Sequence, residues 1–140
     1  MNRTLGFDLG SKTLGVSVSD PLGMIARALT TLRFDSDDYD SALAQAQALI
    51  REQHADKVVL GLPRHMNGDI GMRGEISIAF KEKLESSGVE VVLWDERLTT
   101  VAANRILLQG DVSRKKRKKV IDQMAAVQIL QSYLDYSNRG

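Results

Sequence analysis

The first third of the chain carries three short runs, of which the middle one alternates apolar with small polar positions, and a period of two marks a half-buried strand. Thr4–Leu9 forms the first run, Leu14–Val18 the second and Ile25–Leu32 the third. Gly10-Ser11-Lys12-Thr13 is a join short enough to make the first two an antiparallel hairpin. Asp20-Pro21-Leu22-Gly23 carries a turn signal that continues the meander. The period then changes. Ala42, Leu43, Ala46, Leu49 and Ile50 recur at helical spacing behind Asp35, Asp37, Asp38 and Asp40, acids that suit the start of a helix and serve capping and solubility.

Lys57–Leu62 is a continuous apolar run, as in a strand covered on both faces, and Pro63 ends it. Turn formers fill Pro63–Gly74. A helix is predicted from about Glu75 to Ser86, with Ile76, Ala79, Phe80 and Leu84 on one face and Gly88 as its stop. Val89–Trp94 is a second buried strand, closed by Asp95-Glu96-Arg97. Thr99 or Thr100 caps a predicted helix through Leu108, Gly110 breaks it, and a last helix runs through Tyr136. The order βββαβαβαα predicts an α/β fold: a mixed five-stranded sheet flanked by helices, with strands one, four and five parallel.

The length of 140 residues suits one domain over 1–140. With 19 Lys and Arg against 18 Asp and Glu, the net charge of +1 gives no global polyelectrolyte signature, so any nucleic-acid binding must come from local patches. The absence of cysteine excludes disulfides, thiolate metal sites and cysteine nucleophiles, and His54 and His65 alone make a poor zinc set. No segment approaches the roughly 18 apolar residues of a membrane span, which leads to the expectation of a cytoplasmic protein without membrane contact.

Ligands of open α/β sheets collect beyond the carboxyl ends of parallel strands. Asp8 closes the first strand, the Pro63–Gly68 loop leaves the fourth, and Asp95-Glu96 closes the fifth. Alternation sends Asp95 and Glu96 to opposite faces, so only one of them can share a site with Asp8, and parity alone does not choose between them. A further carboxylate, Asp122, heads the apolar stripe Ala125, Ala126, Ile129, Leu130 and Tyr133 on the last helix, a position that asks for a metal, an Arg or a cap as partner. The two alanines allow that helix to approach the sheet closely. Carboxylates converging from separate elements suit hard cations such as Mg²⁺ or Mn²⁺, which assist phosphodiester hydrolysis.

Arg114, Lys115, Lys116, Arg117, Lys118 and Lys119 concentrate six of the 19 cations immediately before, or in the first turns of, the helix bearing Asp122. Cations there oppose the helix dipole, and a phosphate backbone would offset them. The Gly6–Thr13 segment has neither P-loop nor GxGxxG spacing, although its amides and hydroxyls could cradle phosphate. It is also similar to the first phosphate loop of actin and sugar-kinase ATPases, which enclose ATP between two such domains. His54 reads as a helix C-terminal cap, Trp94 as core, and His65 as a loop residue beside the site. Arg97 could serve clustered acids or a phosphate bidentately.

Gly6-Phe7-Asp8-Leu9-Gly10-Ser11-Lys12 with Gly15-Val16 and Ser19-Asp20, Gly61-Leu62-Pro63 with Asn67-Gly68, Asp95-Glu96-Arg97-Leu98-Thr99-Thr100, and the basic run with Asp122-Gln123-Met124-Ala125-Ala126 together resemble the YqgF family, also called RuvX. The match follows the family order along nearly the whole chain. The resemblance implies an RNase H-like fold related to the RuvC Holliday junction resolvases and a nuclease role on pre-16S rRNA in ribosome maturation. It implies Asp8, Glu96 and Asp122 as carboxylates holding Mg²⁺ or Mn²⁺, and so selects Glu96 over Asp95. Lys12, Arg97 and residues 114–119 are then the expected nucleic-acid contacts. The chain departs from the family at Thr13, where Arg is usual. Its fourth strand ends without the acid that the resolvases place there, which weighs against junction resolution. The expected partner is pre-rRNA or a ribosomal particle, with branched DNA as the alternative, for a monomer or homodimer. A non-catalytic ribosome-associated factor and an actin-type ATPase are the readings from other classes.

Overall fold

The computed structural model describes residues 3–99 and 114–138, with side chains for 3–99 and 124–138. Three strands open the fold, β1 (Arg3–Leu9), β2 (Thr13–Ser19) and β3 (Ala26–Arg33). Then follow α1 (Tyr39–Glu52), β4 (Ala55–Leu62), α2 (Met72–Glu85), β5 (Glu90–Asp95), a 3-10 turn (Glu96–Leu98) and α3 (Arg114–Ser137). The sheet order is β3-β2-β1-β4-β5. Antiparallel pairing joins β1 to β2, with Asp8 opposite Gly15, and β2 to β3. Parallel pairing joins β1 to β4, with Phe7 beside Leu60, and β4 to β5, with Gly61 beside Trp94. This is the mixed sheet that the alternation predicted. The helix expected from Thr99 or Thr100 to Leu108 lies outside the described residues.

One face of the sheet carries Leu5, Phe7, Val16, Val58 and Leu60, buried against Ala42, Ala46 and Leu49 of α1 and Phe80 and Leu84 of α2. On the other face, Val59 and Ala26 meet Ala125, Ala126, Ile129, Leu130 and Leu134 of α3. The central strands β1 and β4 are therefore covered on both sides, which is why Val58–Leu62 reads as unbroken apolar sequence. Asp38 caps α1 by accepting the Ser41 N–H at 3.2 Å. At its other end His54 takes a left-handed conformation, φ 53°, with its N–H on the Arg51 carbonyl at 3.2 Å, the capping role expected of it. Among the described residues no helix is long and apolar enough to cross a membrane.

Helix α2 starts at Met72, earlier than the predicted Glu75, because Gly74 acts as a packing residue inside the helix instead of a loop signal. A Cβ on Gly74 would stand 2.9 Å from the Pro63 carbonyl oxygen and 2.7 Å from Ile70 Cγ2. A similar close approach seats α3. Ser17, fully buried, donates its hydroxyl to the Ala126 carbonyl at 2.7 Å, and a Cβ on Gly6 would lie 2.7 Å from Leu130 Cβ and 2.9 Å from that same carbonyl. The other end of α3 is tied to the β2–β3 turn. Gln131 donates to the Met24 carbonyl and accepts from the Ala26 N–H, both at 2.9 Å, and Asn138 donates to the Gly23 carbonyl at 3.0 Å. That turn lies where β1 begins, so α3 runs antiparallel to β1 and its first turns lie toward the carboxyl ends of β1 and β4.

Candidate active site

Asp8 is the penultimate residue of β1 and is 8% exposed. Leu5, Phe7 and Leu9 turn to the α1 and α2 core, so alternation puts Gly6 and Asp8 on the α3 face. Both lateral neighbours of Asp8 on that face are glycines: Gly15 opposite it on β2, and Gly61 one position beyond the Phe7–Leu60 pair on β4. The carboxylate thus stands on a stretch of sheet bare of side chains.

Glu96 reaches the same stretch by a break in regular structure. Trp94 turns to the α3 side of the sheet, Asp95 ends β5, and Glu96 opens the 3-10 turn. Asp95 caps that turn by accepting the Arg97 N–H at 2.9 Å. Glu96 Oε1 then lies 2.9 Å from the position a Cβ on Gly61 would occupy. Gly61 is made glycine by this contact and by Ile129 Cδ1, which would stand 2.5 Å from the same Cβ. Asp95 and Glu96 separate at the end of β5, and Glu96 is the one on the face of Asp8.

Asp95 is taken up by arginines. Arg97 donates from Nε to both carboxylate oxygens at 3.1 Å and from Nη2 at 2.7 Å. Arg64 Nη1 lies 3.5 Å from the same group. Hydrogen bonds from the Arg97 side chain hold the Asp95 carboxyl below the usual carboxylate range, and the same bonds raise the pKa of Arg97. Arg64 escaped the sequence reading because nothing local in Pro63–Gly74 marks one cation as turned toward β5.

Lys12 is exposed at the tip of the first hairpin, where its carbonyl accepts the Phe34 N–H at 3.0 Å. His65 is a loop residue with a packing role: its Nε2 would be 2.6 Å from a Cβ on Gly71, the residue before α2. Trp94 is core as expected, its indole N–H on Ser132 Oγ at 3.0 Å and its ring 5.5 Å from those of Tyr133 and Tyr136. Arg73, another side chain that the sequence did not mark, ties α2 to the end of β1 through the Leu9 carbonyl at 3.2 Å and the Tyr39 hydroxyl at 3.0 Å.

The backbone of Arg114–Lys119 forms the first turns of α3, which has no acidic residue in its first turn. Asp122 follows on the same helix, one turn before Ala126. The side chains of Arg114, Lys115, Lys116, Arg117, Lys118, Lys119 and Asp122 lie outside the described residues. Among the described residues no three His, Cys, Asp or Glu side chains gather closely enough to hold a metal.

A family model described as RuvX, Holliday junction resolvase, matches residues 2–136. The chain belongs to the RuvX family. This RuvX chain is 56% identical over 134 residues to a protein of Geobacillus kaustophilus, an alignment covering 95% of this chain and 97% of the relative. It is 53% identical over 137 residues to a protein of Bacillus subtilis, covering 97% and 99%. Both relatives carry the name "Putative pre-16S rRNA nuclease". Its fold is similar to that of Thermus thermophilus RuvC solved in complex with a Holliday junction substrate, with a TM-score of 0.66 and 15% identity, covering 100% of this chain and 97% of that one. The RNase H-like fold expected from the RuvX motifs is the fold of this chain.

Proposed function

We propose that this RuvX-family protein is a nuclease that hydrolyses phosphodiester bonds of structured RNA, trimming the 5′ end of pre-16S rRNA in the cytoplasm with the help of a divalent metal. The observation that carries the reading is the Glu96 carboxylate lying over Gly61, on the same bare face as buried Asp8. Two carboxylates from separate strand ends, with glycines beside them and no histidine or cysteine among them, form an oxygen-only donor set fitting Mg²⁺ or Mn²⁺. Asp122 fits as the third ligand. From Ala126, which sits at the level of Gly6, one helical turn back to Asp122 rises about 6 Å, and two residues along β1 from Gly6 to Asp8 rise about 6.6 Å. Because α3 is antiparallel to β1, both steps lead the same way.

The bound metal would supply an activated water and charge stabilisation at the leaving oxygen. The chain's own residues do the rest. Asp8 is held in a central strand, and Glu96 opens the 3-10 turn that Asp95 caps. Lys12, Arg97 and the cations of Arg114–Lys119 hold phosphates, and a bound backbone offsets the unfavourable placement of six cations at the start of α3. The names of the relatives point to RNA. The resolvase reading on branched DNA draws on the description of the RuvX family model and on the RuvC-like fold, but β4 ends in Gly61-Leu62-Pro63 and offers no acid there. The test is cleavage of a 5′-extended 16S rRNA precursor with Mg²⁺ or Mn²⁺, beside a four-way DNA junction, an EDTA control and Asp8→Asn. Cleavage of the precursor that needs both metal and Asp8 is the expected result. If both substrates remain intact with wild-type protein, a non-catalytic RNA-binding factor replaces the nuclease.

A further inference from the structure

We propose that Arg64 and Arg97, held side by side on Asp95, form a clamp for a phosphate flanking the scissile one, and that Asp95 is a positioning residue. The inference rests on the nuclease reading and adds a second arginine and its holder to the site. Asp95 alone holds two guanidiniums, at 2.7 Å from Arg97 Nη2 and 3.5 Å from Arg64 Nη1, and so gathers both cations at one point beside the strand ends.

Both guanidiniums are fixed in advance. Arg97 is anchored through Nε and Nη2, while its Nη1 lies 3.4 Å from where a Cβ on Gly68 would be. Arg64 donates from Nε to the Gly68 carbonyl at 2.9 Å and approaches Asp95 with Nη1. Gly68 thus meets both arginines, and its φ of +95° is a conformation that favours glycine. Its turn is closed by its own N–H on the His65 carbonyl at 2.8 Å and by the Asp69 N–H on Asn67 Oδ1 at 3.0 Å. Each guanidinium presents five N–H donors, so these contacts leave donors on both. The side chains remain 32% and 37% exposed, beside the carboxyl ends of β4 and β5. Fixed, paired, solvent-facing forks of this kind suit a phosphate oxygen pair.

Binding of a labelled single-stranded RNA in EDTA, across a salt series, tests the clamp apart from cleavage. Arg64→Ala and Arg97→Ala should each weaken binding about tenfold at low salt, the loss of a charge-assisted hydrogen bond. The double variant should also lower the slope of log affinity against log salt by about 0.7, one phosphate contact on a single strand. Arg97→Lys keeps the cation, so it should keep the slope and lose affinity, because the fork is gone; Asp95→Asn removes a carboxylate that repels phosphate, so a loss of affinity there reports the missing holder and not the charge. Arg51→Ala, at the far end of α1, should change neither. Trp94 emission verifies that each variant is folded. A double variant that binds like wild type at every salt concentration overturns the clamp, and wild-type or tighter binding by Asp95→Asn overturns the positioning role. If wild type binds with the expected slope but cuts nothing, the nuclease reading fails while the clamp stands. If it cuts and the slope ignores both arginines, the clamp alone fails.

Discussion

Replacing Gly61 by alanine separates the site from the stability of the fold. The added Cβ would meet Ile129 Cδ1 at 2.5 Å and Glu96 Oε1 at 2.9 Å, short of ordinary contact at 3.4 Å by about 0.9 and 0.5 Å. Ile129 presents the end of a flexible side chain, so the core can yield at a strain of about 1–3 kcal/mol. Glu96 has to withdraw its carboxylate by about half an ångström. A misplacement of 1 Å can reduce catalysis by about 10²-fold, so half of that corresponds to about tenfold or more. Gly23→Ala is the matched control: φ is +70° there with nothing within 4 Å of the new Cβ, so the left-handed conformation should cost about 1–2 kcal/mol without touching the site. Cleavage rates of both variants, taken well below their unfolding midpoints, are compared with urea unfolding. Comparable destabilisation, with activity lost only in Gly61→Ala, is the expected outcome. A Gly61→Ala protein that cuts at the wild-type rate refutes the placement of Glu96 in the working site.

Gly6→Ala should destabilise the protein by about 3 kcal/mol or more, since the new Cβ meets a helix carbonyl and Leu130 Cβ in place of a mobile tip; Trp94, the only tryptophan, reports the loosening of α3 by red-shifted emission. Ser17→Ala removes the buried hydrogen bond to the Ala126 carbonyl and should cost about 1 kcal/mol in urea unfolding. Asp95→Asn should be less stable than wild type at pH 7 by under about 1 kcal/mol, the range of a partly exposed ion pair. Because the folded pKa of Asp95 lies below 3.8, that difference persists above 3.8 and is lost only as pH falls through the folded value; an Asp95→Asn protein as stable as wild type in urea unfolding at pH 7 would contradict the Arg97 contact. Substituting Lys115, Lys116, Lys118 and Lys119 by glutamine should reduce the salt slope of RNA binding by up to about 3, and an unchanged slope would remove α3 from the RNA contact.

Periodicity along the chain determined the three-strand meander, the two buried strands, the helices between them and the parallel pairing of β1, β4 and β5, because burial on one face or two writes itself into adjacent residues. It also brought forward Asp8, through its position at a strand end. The Asp95–Glu96 choice could not come from alternation, since the deciding fact is that β5 stops at Asp95 and a 3-10 turn swings Glu96 over a glycine 35 positions earlier in the sequence. Resemblance to the RuvX motifs pointed to Glu96, and the tertiary structure sets its carboxylate in the space above Gly61. Gly74 read as loop because a glycine's use inside a helix depends on a carbonyl at Pro63 and a methyl group at Ile70, neither visible as a pattern. Arg64 was hidden for the same cause. Its meaning comes from Asp95, a partner on another strand, and side chains distant in sequence acquire a shared electrostatic role only when the sheet sets their strands side by side.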